Sequence, residues 1–410
     1  LNESLKAGFG KASIDFNQSD LPIREFAAKM DDLYVRVMLI HGHQDFALVS
    51  FDLTSLTNAA IDQFKAQVIA LTGIPTENIW ITVTHTFAAP HLPSQPDKAP
   101  QPYRLIFDKL TASLSASCIA AQQNQQPVQI GSATVDCSLN VNRNLLTTDG
   151  WWLGRNFQAY SNHQLRVLAF KQATGQTHLI VNYDIQQSVL DHVTDDHNQR
   201  MISSDLMGYG LKSFETNDQV AIFLPGAAGD QRPLFVGDAE QPFAVAKAYV
   251  AEQGAIVTER LQHACQAIDN WQALTQLTLV TQAIQVPTQV QELTTFELKP
   301  THHYNFEAAG QTMPLSVTAL CLNQHLIAGT QPELNSAFAN QCRDALNTNA
   351  TTMVVTLING GAKYLPTALD YQRITYQAMN TPLAQGADQL VLQTFAQVGA
   401  QIRKEVDHSC

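Results

Sequence analysis

The sequence predicts an α/β protein with mixed β-sheets covered by helices, and three observations carry that prediction. Strand-like and helix-like periods alternate along the first half of the 410 residues. The hydrophobic fraction of 45% and the scarcity of charge, 15% of residues, leave enough apolar material for a large core. No run of 18 apolar residues occurs, so no bilayer-spanning helix is expected.

The elements follow in order. Tyr34 to Ile40 and Phe46 to Phe51 flank a Gly-His-Gln turn and predict a hairpin. Ala59 to Leu71 repeats apolar residues at helical spacing, stops at Gly73, and precedes a strand from Ile79 to Thr84. Pro90, Pro93, Pro96, Pro100 and Pro102 make a loop, because proline fixes φ and removes a donor. A helix is expected from Tyr103 to Ala121, then strands at Val128 to Val141, Leu165 to Phe170 and His178 to Tyr183. Gln199 to Leu211 reads as a helix and Val220 to Leu224 as an apolar strand. The second half predicts a helix over Phe243 to Ala267, strands over Leu277 to Val286 and Leu315 to Thr330, and a helix over Pro332 to Leu346. A strand over Thr352 to Leu357 and a helix over Leu383 to Arg403 close it. There is no repeat and no flexible linker, so residues 1–410 read as one domain. The polar segment Thr288 to Pro314 is the best place for an internal seam.

The balance of 24 basic and 36 acidic residues, a formal charge of −12, argues against nucleic acid or an anionic membrane as the main partner. Cys118, Cys137, Cys265, Cys321, Cys342 and Cys410 are scattered without a Cys-x-x-Cys pair, so they read mostly as small core residues. The start, Leu1-Asn2-Glu3-Ser4, lacks the apolar stretch of a secretory signal, which points to a cytoplasmic protein unless a leader has been removed.

Four segments could carry chemistry. His85, in Thr84-His85-Thr86-Phe87, ends an apolar strand and enters a loop, where an imidazole can bind metal or move protons; the plainer alternative is a histidine hydrogen-bonded at a strand end. Gly226-Ala227-Ala228-Gly229-Asp230-Gln231-Arg232 follows a strand. Its small residues would let the backbone approach a ligand, with Asp230 and Arg232 supplying charge for orientation or anion binding; a packing turn with an Asp–Arg pair is the alternative. Asp191-His192-Val193-Thr194-Asp195-Asp196-His197 mixes metal-ligating types but suits a helix cap equally well. Arg143, after Asn142, could hold a carboxylate or polar head group through its planar fork, or form a surface ion pair. Gly-x-Ser-x-Gly and His-Glu-x-x-His motifs do not occur. His302 and His303 read as surface residues, and Trp151 and Trp152 as either cleft wall or core.

Taken in order, Ala7-Gly8-Phe9-Gly10-Lys11, Ser50-Phe51-Asp52-Leu53, Thr82-Val83-Thr84-His85-Thr86 with Pro90, and Asn142-Arg143 resemble the catalytic domain of the neutral/alkaline ceramidases. Val181-Asn182-Tyr183, Ser203 to Gly208, Gly226 to Asp230 with Pro233, and Tyr364-Leu365-Pro366 continue the resemblance over nearly the whole chain. It implies zinc-dependent hydrolysis of the amide of N-acyl sphingoid lipids, without the C-terminal β-domain of the larger ceramidases. His85 then falls on a zinc-ligating histidine and Tyr376 on a ligand tyrosine, with Gln377 where the family has glutamate. Phe87 replaces a second histidine, Gln186 a ligand histidine, and Thr330 or Gln331 the ligand glutamate, so the resemblance implies a degenerate zinc site. Arg143 and the Gly226 to Gly229 backbone would orient the substrate, with Phe87 on the cleft wall. Three readings stay open: a hydrolase of an N-acyl amide or related lipid-like substrate with an altered metal site, an inactive ligand-binding protein on the same scaffold, and a metal-free hydrolase using an Asp230–His85 relay.

Overall fold

The computed structural model describes residues 4–92, 101–216, 218–347 and 351–408. The central element is a nine-stranded mixed sheet. Its order is Ala221–Pro225, Thr177–Tyr183, Gln164–Gln172, Gln126–Asp136, Lys6–Ile14, Leu33–His41, Phe46–Phe51 and Ile79–Val83, with Gln272–Ala273 on the side of Gln126–Asp136. Most neighbours are antiparallel, but both outer pairs, Phe46–Phe51 with Ile79–Val83 and Thr177–Tyr183 with Ala221–Pro225, are parallel.

Those outer strands read as unbroken apolar runs because both faces of the sheet are covered. On one face, Ile61, Phe64 and Val68 of helix Asn58–Thr72 and Leu110 and Leu114 of helix Gln101–Gln123 pack on Val35, Val37, Val49 and Ile81. Helices Asp205–Phe214 and Phe243–Ala267 cover the rest of that face, over Leu179, Val181 and Phe223. On the opposite face, Phe9, Met38, Leu48, Trp80 and Ile222 meet Leu320, Leu322, Ile327 and Met353 of a second sheet. This sheet runs Leu277–Gln289, Ala308–Leu322, His325–Thr330, Thr352–Val355. Its far side is sealed by Phe338 and Cys342 of helix Ser336–Leu346 and by Val391, Phe395 and Val398 of helix Ala387–His408. The result is four layers, helices, sheet, sheet, helices. Gly10 shows how tightly they close: a Cβ there would lie 1.9 Å from the Ser117 carbonyl oxygen of the overlying helix.

Several boundaries differ from the sequence reading, each for a local reason. Val128 to Val141 is two strands, Gln126–Asp136 and Asn140–Thr147, because the chain leaves one sheet for another at Cys137. There the Tyr183 hydroxyl accepts the N–H groups of Leu139 and Asn140, at 2.9 and 3.1 Å, and donates to the Cys137 carbonyl. Gln199 to Leu211 holds a short strand, Arg200–Ile202, before helix Asp205–Phe214 begins. Asp31 takes the Ser203 and Ser204 side chains between them. Leu315 to Thr330 is a hairpin turning at Asn323, whose φ is 52°. Pro332 to Leu346 starts as strand Glu333–Leu334, paired in parallel with Tyr364–Leu365, and turns helical only at Ser336. The polar segment Thr288 to Pro314 spans the end of a second hairpin, in which Gln289 pairs with Ala308. The five cysteines within the described residues are unpaired, and all but the partly buried Cys265 are buried. Pro93, Pro96 and Pro100 of the proline-rich loop and Cys410 lie outside the described residues. No described helix is long and apolar enough to cross a membrane.

A network of buried charge ties the sheet to a helix. The Arg36 guanidinium, 1% exposed, donates to both Asp52 carboxylate oxygens at 3.0 and 3.1 Å and to Glu215 at 2.7 and 2.9 Å, tying two strands to the end of a helix. Glu215→Gln leaves that cation undercompensated and is expected to lower stability by roughly 3 kcal/mol, read from urea denaturation. His178 supplies a pH signature. It is fully buried, stacked on Phe9 with ring centroids 4.1 Å apart, and its Nδ1 accepts the Val220 N–H at 3.1 Å; burial drops its pKa to about 4. The unfolded chain therefore takes up a proton between about pH 6.5 and pH 4 that the folded chain refuses, and stability falls as pH falls through that window. His178→Asn, which keeps an acceptor for Val220, should gain stability relative to the parent from pH 6.5 down to 4, by at most about 1.4 kcal/mol per pH unit.

Candidate active site

His85 leaves the edge strand Ile79–Val83 with φ of 61°, a left-handed conformation that a histidine adopts only when its surroundings hold it. They do. Gln187 Nε2 donates to the Thr84 carbonyl at 2.7 Å, Thr54 Oγ1 donates to the Thr86 carbonyl at 2.7 Å, and the Phe87 N–H donates to the Gln187 carbonyl at 3.0 Å. His85 Nδ1 lies 2.5 Å from the Thr54 carbonyl oxygen, which can only accept, so Nδ1 carries the proton and Nε2 is turned inward.

The group that Nε2 meets was not picked out from the sequence. It is Glu333, whose Oε1 lies 3.4 Å away, both side chains being buried. Burial pulls the His85 pKa down, but the Glu333 carboxylate and the Thr54 carbonyl outweigh it and leave it above the ordinary histidine value. Reading Pro332 to Leu346 as helix hid this residue. The available signal was Pro332 itself, which suits a chain not yet helical, followed directly by an acid.

The Gly226–Asp230 turn carries the chain from strand Ala221–Pro225 of the nine-stranded sheet to a short strand, Gln231–Pro233, paired with Asn140–Thr147. A Cβ on Gly226 would lie 2.2 Å from Asp184 Oδ1, so only glycine fits. The amide N–H groups are spent internally: Gly226 on the Tyr183 carbonyl, Ala227 on Asp184 Oδ1, Ala228 on the Gly226 carbonyl and Gly229 on the Leu334 carbonyl, each at 2.9 or 3.0 Å. They are therefore not donors for a substrate oxyanion, the role the sequence suggested for Gly226 to Gly229. The Gly229 carbonyl instead accepts Arg143 Nε at 3.0 Å, Arg143 NH2 at 2.6 Å and Gln377 Nε2 at 2.8 Å. This fixes the Arg143 guanidinium against the faces of Tyr364 and Tyr376, 5.4 and 5.8 Å from their ring centres, with NH1 on Gln186 Oε1 at 3.3 Å.

Arg143, Gln186, Phe87, Tyr364 and Tyr376 border a cleft of about 810 Å³, whose outer wall includes Arg232, Arg200, His91, Asp191 and His192. Of the residues singled out from the sequence, His85, Phe87, Arg143 and Tyr376 thus gather in one place, Phe87 edge-on to His85 at 4.9 Å, with Arg232 on the rim. Asp230 does not join them. Its carboxylate accepts Asn142 Nδ2, Gln231 Nε2 and the Ser336 N–H at 2.8 to 3.0 Å and borders a separate cavity of about 480 Å³. Burial pushes its pKa up to about 7. The acidic segment from Asp191 to His197 caps no helix: Asp195 Oδ1 takes the His197 and Gln199 N–H groups in a loop, and the His192 side chain is 80% exposed. Trp152 supports Tyr376 from behind, edge-on at 5.6 Å, while Trp151 lies under Arg373.

Zinc, implied by the resemblance, finds two suitable donors here. His85 Nε2 and Glu333 Oε2 are both buried without a hydrogen-bond partner, and the Thr54 carbonyl fixes the imidazole from behind, as second partners of metal-bound histidines do. Catalytic zinc normally keeps three protein ligands. No group of three His, Cys, Asp or Glu side chains comes together among the described residues, and Gln186 Oε1 is taken by Arg143. The Glu333 carboxylate also acts on the nearby phenols of Tyr364 and Tyr376, helping to raise their pKa after burial.

No protein-family model and no curated protein matches the sequence. Solved structures do match by fold. The neutral ceramidase from Pseudomonas aeruginosa superposes with a TM-score of 0.78 at 16% identity, over 98% of this chain and 75% of that one. A ceramidase complexed with C2 gives 0.76 at 16% identity, over 98% and 76%. The chain therefore has a neutral ceramidase-like fold across nearly its whole length.

The turn behind the site can be tested directly. Gly226→Ala is expected to force the turn off Asp184 and lower stability by about 1 to 3 kcal/mol, measured by thermal unfolding, whereas Gly175→Ala, in open space, should cost no more than about 1 kcal/mol for its left-handed φ.

Proposed function

We propose that this protein is a hydrolase that cleaves the amide of an N-acyl, lipid-like substrate, and that the His85–Glu333 pair is its acid–base centre. The observation that carries the reading is this one buried histidine–carboxylate pair, with unpartnered atoms, next to the cleft-wall residues Phe87 and Tyr364 in a ceramidase-like fold. The Glu333 carboxylate takes a proton from water as it attacks the carbonyl carbon. The charge then developing on the carbonyl oxygen lies near the Arg143 guanidinium and the tyrosine phenols, which cannot move away because Gly229 and Trp152 hold them. Protonated His85 Nε2 supplies the proton to the departing nitrogen, so the C–N bond breaks to an acid and a neutral amine. A zinc ion held by His85 Nε2 and Glu333 would supply Lewis-acid polarisation in place of this acid–base pair, because one imidazole nitrogen cannot hold a metal and a proton together.

Phe87 and Gln186 support a second reading. They stand where the resemblance implied histidines, and they fit a cleft that binds a ligand without cleaving it. Release of fatty acid from a panel of N-acyl amides separates the two. Hydrolysis is expected in the parent chain, with kcat lowered at least about 100-fold by Glu333→Gln and by His85→Gln, both folded by circular dichroism. Zinc content, measured by plasma mass spectrometry after supplementation, should drop in both variants if the pair holds the metal. Undiminished turnover in Glu333→Gln would remove the acid–base assignment, and binding without turnover in the parent would establish the second reading.

A further inference from the structure

The cleft is cationic in a protein whose formal charge is −12. Four arginines line it, Arg24, Arg143, Arg200 and Arg232, against two carboxylates, Glu25 and Asp191. Both carboxylates are engaged by one arginine: Arg200 lies 3.4 Å from Glu25 and 3.6 Å from Asp191. Glu333 is matched to His85. Arg143 and Arg232 are left, among the described residues, without a carboxylate within 4 Å. Arg143 is held by a carbonyl, an amide and two aromatic faces, and Arg232 NH1 by the Gly154 carbonyl at 3.2 Å. The two guanidiniums also repel one another, and burial together with that repulsion depresses the Arg232 pKa. Two cations on one cleft wall without counter-charge are costly unless a ligand completes them. The wall also carries apolar groups, Phe87, Leu153, Val236 and the 94% exposed Phe296, among polar residues such as Gln186, Ser188 and Tyr376.

We infer that the ligand of this cleft is an amphiphile with an anionic head group, a carboxylate or a phosphate, bound between Arg143 and Arg232, and with its apolar portion along Phe87, Leu153 and Phe296. The inference rests on the proposed function only in taking this ligand to be the amide substrate. A substrate of this kind is an N-acyl compound whose amine part carries the negative charge.

The test uses amphiphiles that have no amide to cleave: decanoate, decyl phosphate and decanol, each titrated calorimetrically below its micellar concentration into the full chain. At least one anion should bind about ten-fold or more tightly than decanol, and which of them does so identifies the head group. Arg232→Gln should remove that preference while leaving decanol affinity unchanged, and Arg232→Lys should restore part of it. Equal affinity for all three probes, no binding of any, or a preference that survives Arg232→Gln would overturn the inference. Anion preference without hydrolysis of any N-acyl amide would refute the proposed reaction and leave the head-group site standing; hydrolysis without the preference would do the reverse.

Discussion

A single carbonyl oxygen, that of Gly229, holds the site together. It accepts donors from Arg143, on a strand that leaves the first sheet, and from Gln377, on a short helix after the second sheet, while the Gly229 N–H is bound to Leu334 beside Glu333. Three segments distant in sequence converge on one residue. Because the Arg143 charge is thereby fixed, its distance to the tyrosine faces is fixed, and the strand carrying Glu333 is held within reach of His85. The close contact of Gly229 with Leu334, where an added Cβ would lie 2.9 Å from the carbonyl oxygen, leaves no room for a side chain at this junction.

The layering was legible in the sequence because burial writes itself into hydrophobic period. Runs such as Phe46–Phe51 and Ala221–Pro225 could only belong to a sheet covered on both faces, and the amphipathic Asn58–Thr72 announced its stop at Gly73. The breaks were harder to see. Cys137 ends a strand because a tyrosine hydroxyl 46 residues later in the chain collects the freed backbone groups, and nothing local to Cys137 records that. His85, Phe87 and Arg143 were visible as chemistry at strand ends. Glu333 was missed for the same reason that Cys137 was: its importance lies in a parallel pairing with Tyr364–Leu365, a contact made across thirty residues of intervening chain. Asp230 shows the opposite limit. A conspicuous acid in a glycine-rich turn proved to be occupied by its neighbours, with its carboxylate turned from His85.

Buried polar atoms without partners are unusual in a protein interior, and several gather here: His85 Nε2, Glu333 Oε2, Gln186 Nε2 and Gln377 Oε1. At Arg36, by contrast, two carboxylates share one guanidinium. The contrast distinguishes charge used for structure from polar atoms left open toward a ligand. Phe87 and Gln186 fit the same pattern, one removing a polar group from the wall and the other placing a neutral amide beside Arg143.

The spacing of the site along the chain also bears on how the protein is made. His85 leaves an edge strand formed early in the sequence, yet Glu333, Tyr364 and Gln377 arrive about 250 to 290 residues later, after the second sheet has closed on the first. During synthesis the nine-stranded sheet must therefore wait with one apolar face uncovered until the four strands from Leu277–Gln289 to Thr352–Val355 emerge. In that interval Phe9, Met38 and Trp80 are exposed to other nascent chains rather than to Leu320 and Ile327. A nascent chain stopped before Tyr364 would carry His85 and Glu333 without the strand that pairs with Glu333–Leu334, so the candidate site is completed only after the strands that cover that apolar face have been made.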